Sequence, residues 1–98
     1  MITLKEFLSS CEVEQEMDRM IFGLWVGDDD DNGYYLQLKV DYHLEPDYFE
    51  ELEPIITDTD YFVDDLYVTK KEVIKYINIP DDDDIHALIF DKISSVLW

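Results

Sequence analysis

From Tyr34 to Glu45 the chain alternates without a break. Tyr34, Leu36, Leu38, Val40, Tyr42 and Leu44 hold one register, and Tyr35, Gln37, Lys39, Asp41, His43 and Glu45 hold the other. A period of two sustained that long specifies a β-strand with one buried and one wet face. Such a strand needs a pairing partner, and the segment before it supplies one. Arg19 to Val26 is rich in β-formers, with Met20, Phe22, Leu24 and Val26 on one face. The connection runs through Gly27, Asp28, Asp29, Asp30, Asp31, Asn32 and Gly33. Asn-Gly is a strong turn dipeptide, although this loop exceeds the favoured two residues. The pattern predicts a hairpin whose four aspartates project into solvent.

Helices are predicted around this hairpin. Thr3 and Glu6 form a T-x-x-E capping box, with Ile2 and Phe7 at the staple positions. Leu4, Phe7, Leu8 and Cys11 then give one apolar face at i, i+3, i+4, i+7. The alternation of Glu12, Glu14 and Glu16 with Val13, Gln15 and Met17 leaves the next stretch open, with an extended chain as one reading. Pro46 suits the first turn of a helix, in which Tyr48, Phe49 and Leu52 face inward and Glu50, Glu51 and Glu53 face out. Pro54 stops or kinks it. Ile55 and Ile56 then pack before a loop of Thr57, Asp58, Thr59 and Asp60. Tyr61 to Val68 reads as a third strand, interrupted by Asp64 and Asp65. Thr69 and Glu72 form a second capping box, opening a short helix that carries Val73, Ile74 and Ile77. A final helix carries Ile85, Leu88, Ile89, Ile93, Val96 and Leu97. Asp81 to Asp84 sit at its amino end, where the helix dipole favours negative charge.

These elements predict a single α+β domain over residues 1–98. Its core is a small antiparallel sheet, a hairpin plus a third strand, covered on one face by three to four helices. Hydrophobic residues at 47% and aromatics at 14% support folding, since disordered acidic chains are poor in both. Cys11 is the only cysteine, so no intrachain disulfide can form. It reads as a buried thiol, because no cation beside it lowers its pKa. The first dozen residues lack the apolar core of a signal peptide, and no run reaches the ~18 apolar residues of a membrane span. A cytoplasmic setting is expected.

Charge is the chain's other extreme. Asp and Glu number 25 against 7 Lys and Arg, for a formal net charge of -18. A small soluble domain needs a magnitude of only about 2–8, and the excess weakens the compact state by self-repulsion. Phosphate binding requires the opposite sign, so direct nucleic-acid contact is excluded. A strongly positive protein surface is the expected partner, and a homodimer stays open.

Catalytic and metal readings fare poorly. Asp28, Asp30, Asn32 and Gly33 match the opening of a calcium loop, but the ninth and twelfth positions are Leu36 and Lys39 where a bidentate Glu is required last. His43 and His86 have no companion at zinc spacing. Nothing local pairs Cys11 with a base, and Gly23, Gly27 and Gly33 form no phosphate loop. No enzyme, metal or cofactor is expected. Trp25, Tyr35, Tyr48, Tyr61 and Trp98 are the aromatics expected to stand partly exposed, as edge packing or as interface anchors. The acids suit a different task. Alternate residues on a strand face lie about 6.6–6.8 Å apart, while duplex DNA carries a charge every ~3.4 Å along each strand. Rows of carboxylates can therefore approximate a phosphate track.

On Asp28, Asp29, Asp30, Asp31, Glu50, Glu51, Glu53, Asp58, Asp60, Asp64, Asp65 and the tetrad at 81–84, the chain resembles the small acidic DNA mimics of phages and mobile elements, of anti-CRISPR and anti-restriction type. That resemblance is one of character over the whole length, since those inhibitors share no single fold. It implies a non-enzymatic inhibitor seated in the DNA-binding or PAM-reading groove of a bacterial defence nuclease, where Arg and Lys would take carboxylates in place of phosphates. The partner-binding set would then be Asp28 to Asp31, Glu50, Glu51, Glu53, Asp58, Asp60, Asp64 and Asp65, with Trp25 and Tyr48 as anchors. The alternatives are an immunity or antitoxin protein that plugs a cationic toxin nuclease, and an acidic structural or assembly protein.

Overall fold

The structure, a computed structural model, describes residues 2–27, 32–79 and 82–98, with the backbone alone at 82–84. Helix α1 (Leu4–Ser10) starts at Thr3, whose hydroxyl accepts the Glu6 N–H at 3.1 Å while the Glu6 carboxylate accepts the Thr3 N–H at 3.3 Å. Strands β1 (Glu12–Gln15), β2 (Arg19–Gly27), β3 (Gly33–Pro46), β4 (Leu52–Val63) and β5 (Leu66–Val68) follow, all antiparallel and in the spatial order β1-β2-β3-β4-β5. A single helical turn, α2 (Lys70–Val73), opens on the Thr69–Glu72 capping box. The long α3 (Asp82–Leu97) closes the chain. The stretch at Glu12, left open by the sequence, is strand.

One face of this sheet forms the core. Met20, Phe22, Leu36, Leu38, Val40 and Tyr42 pack there against Leu4, Phe7 and Leu8 of α1 and Ile85, Ile89 and Ile93 of α3. The alternation predicted for β3 is present from Leu36 to Tyr42, each apolar residue buried and each neighbour partly open. Tyr34 is tied to the loop after α2, where its hydroxyl donates to the Tyr76 carbonyl at 2.6 Å. The start of α1 is pinned to the same loop by backbone bonds between Leu4 and Asn78 and between Asn78 and Ile2.

The expected small sheet under three to four helices is overturned. Strands dominate: β2, β3 and β4 run nine, fourteen and twelve residues. The helix predicted after Pro46 does not form. Pro46 instead pairs with Leu52, and the chain between them is a turn. Asp47 decides this locally, because its carboxylate accepts the N–H groups of Phe49 at 2.8 Å and Glu51 at 3.0 Å. A short aspartate side chain that captures nearby backbone donors competes directly with a helix. Pro54 does not break β4, since at that position the strand has β3 on one side only and Pro is tolerated on such an edge.

The predicted loop at Thr57 to Asp60 is also strand. Asp41 pairs with Asp58 and Tyr42 with Ile56, so Thr57 is an extra residue on β4. This β-bulge is filled by the Thr57 hydroxyl, which donates to the Asp41 carbonyl at 3.2 Å. Two further expectations need correcting. Tyr61 is buried rather than partly exposed, and Leu44, expected in the core, is 41% exposed.

Asp64 and Asp65 connect β4 to β5 with positive φ at both residues, 51° and 67°. A two-residue connection of that kind matches the right-handed twist of its strands and favours glycine at the second place. Asp64 has its own anchor, accepting the Tyr35 N–H at 2.9 Å. Asp65→Gly is therefore expected to raise stability by about 0.5–1 kcal/mol. The check is a higher urea midpoint at unchanged slope. A lower midpoint would mean that the Asp65 side chain contributes more than its backbone strain removes.

Candidate protein-docking surface

The sheet face opposite the helices carries the second register of each strand. No element covers it among the described residues. Across β3 and β4 the outward pairs are Gln37 with Phe62, Lys39 with Asp60, Asp41 with Asp58, His43 with Ile55 and Glu45 with Glu53. Carboxylates thus recur along the hairpin and continue into its turn at Glu50 and Glu51. Carboxylate oxygens of Asp41, Asp58 and Asp60 all lie within 4.8 Å of one another. Three like charges at this range repel, and Arg19 on β2 offsets them in part. Its Nε donates to Asp41 Oδ1 at 2.7 Å and its Nη2 to Oδ2 at 3.4 Å. The hydrogen bond and charge of Asp41 hold the Arg19 pKa above its ordinary value. Lys39 is turned over the Phe62 ring, with its Nζ 4.2 Å from the centroid.

The residues singled out in the sequence are distributed as follows. Glu53, Asp58 and Asp60 lie on β4, Glu50 and Glu51 in the β3–β4 turn, and Asp64 and Asp65 in the β4–β5 turn. Trp25 stands on the outer face of β2, opposite Tyr35. Asp28, Asp29, Asp30 and Asp31 lie outside the described residues, as does Asp81. Tyr48 is at the hairpin turn, 93% exposed, edge-on to Phe49 with ring centroids 5.3 Å apart. Asp41, Glu45 and Phe49 were not picked out. Asp41 and Glu45 were visible as wet-face residues of the long strand, but their cross-strand partners appear only once β4 is a strand.

On the core side of the same hairpin end, Glu51, Leu52, Glu53 and Pro54 face Phe90, Ser94 and Trp98 across a groove of about 610 Å³. His43 Nε2 lies 2.7 Å from Glu45 Oε1 on the open surface. The Cys11 thiol donates to the Leu8 carbonyl at 3.5 Å, and burial pushes its pKa up against the opposing pull of Lys92. That makes it a poor nucleophile. No helix among the described residues is long and apolar enough to cross a membrane. Known protein families, curated proteins and solved structures contain no match to this chain.

Proposed function

We propose that the protein is a non-enzymatic inhibitor that occupies the positively charged nucleic-acid-binding surface of a bacterial defence nuclease, a CRISPR effector or a restriction enzyme. The observation that carries this reading is the outward row of carboxylates on β3 and β4, from Asp60 through Asp58 and Asp41 to Glu45 and Glu53. Asp58 and Asp60 are alternate residues of β4, a spacing of about 6.6–6.8 Å that is close to two phosphate steps of ~3.4 Å on one strand of DNA. The His43–Ile55 pair separates them from Glu45 and Glu53. Arginines that hold phosphate can take these carboxylates in the same bidentate geometry. Arg19 on β2 fixes Asp41 within the row, and the interaction needs no turnover.

The test is a titration of purified Cas effectors and restriction nucleases. Cleavage should fall linearly to zero near an integer ratio, and preloading the nuclease with duplex DNA should protect it. Raising salt should weaken the complex, as expected of exposed charge. Inhibition that persists with DNA already in the groove would sink the mimic reading. Inhibition confined to one cationic toxin nuclease would assign the protein to the immunity class instead.

A further inference from the structure

We propose that the groove under the hairpin end is a second docking surface, which receives a basic amphipathic helix of a partner protein. It lies on the helix-covered side of the sheet and meets the carboxylate row only at Glu53, which borders both. The core register of β3 and β4 continues through Leu44 with Pro54 and Pro46 with Leu52, but its cover runs out. Pro54 is buried, whereas Leu52 is 53% and Trp98 66% exposed. Leu52, Pro54, Phe90 and Trp98 give the groove an apolar floor, and Glu51 and Glu53 give it an acidic rim.

The rim decides the occupant. Residues 40–69 hold ten Asp and Glu and no Lys or Arg. A second copy of this chain would bring the same carboxylates against the rim, and an anionic lipid surface would be repelled. What fits is an apolar ridge flanked by cations. An amphipathic helix presents that combination along its length, with residues at i, i+3, i+4 and i+7 as anchors.

The two tryptophans report on opposite faces, Trp98 in the groove and Trp25 on the outer sheet. The experiment titrates the protein with a synthetic Lys/Leu amphipathic helical peptide and follows both indole N–H signals by NMR. The Trp98 signal should shift to saturation while Trp25 stays still. Leu52→Ser, at a half-exposed site with little folding risk, should weaken binding about tenfold. Trp98→Ala should do the same when read from a fluorophore on the peptide. The proposal is overturned if Trp25 moves and Trp98 does not, if a scrambled peptide of equal charge binds as tightly, or if Leu52→Ser changes nothing. A dimer in sedimentation that Leu52→Ser dissociates would also overturn it, in favour of a second copy.

Discussion

Phe22→Ala is expected to destabilise the fold by about 3–5 kcal/mol, the largest single-residue effect in the molecule. Phe22 is fully buried at the centre of β2, paired with Val13 on one side and Leu38 on the other. Its ring is one of the two largest fully buried side chains among the described residues, the other being Phe7 of α1. Removing it deletes contacts in a close-packed layer only one helix deep. Total stabilities of about 5–15 kcal/mol are usual, and this chain spends part of its own on self-repulsion at a net charge of -18. The melting temperature should therefore fall by roughly 15–30 °C, and added salt should recover part of the loss. Phe49→Ala is the internal control: at 78% exposure it should shift stability by no more than about 0.5 kcal/mol. Equal effects of the two substitutions in thermal melts would mean that the β2 core is not formed.

The triple change Asp41→Asn, Asp58→Asn, Asp60→Asn should move stability and affinity in opposite directions. With their oxygens within 4.8 Å, the three carboxylates repel in the free protein, and neutralising them should raise the melting temperature at low salt. The gain should shrink as salt screens the charges over a Debye length of ~8 Å at physiological strength. If the proposed function holds, affinity for the target nuclease should instead drop about 10²-fold or more, near 3 kcal/mol, where desolvated arginines lose their partners. The salt dependence of binding should flatten with it. Melting curves and binding titrations over one salt series check both signs. Unchanged affinity in the triple variant, with binding abolished by substitution of Trp25 or Tyr48, would replace the phosphate-mimic mechanism with an apolar interface.

The parts of this fold that were legible in sequence are those governed by one local rule. The two T-x-x-E boxes form as read, and the even-numbered residues from Leu36 to Tyr42 are buried. The illegible part is 46–60, where two rules compete. Pro46 followed by Tyr48, Phe49 and Leu52 suits a helix start, yet Asp47 captures the backbone donors and the chain turns back. Beyond it, Thr57 breaks the period. Inward residues of β4 are Pro54 and Ile56 before the bulge and Tyr61 and Val63 after it, so even numbers give way to odd ones and no single alternation spans the strand. The acidic surface was hidden for the same reason. Asp58 and Asp60 are visible as acids, but only the shifted register brings them beside Asp41.

The strand order β1-β2-β3-β4-β5 has a kinetic consequence. Each strand pairs with its immediate predecessor, so every pairing closes a short loop and the entropy lost at each step stays small. Low contact order of this kind favours rapid folding. For so acidic a chain, that places the electrostatic cost early: zipping the β3–β4 hairpin itself gathers Asp41, Asp58 and Asp60, before α1 and α3 close the layer around Phe22.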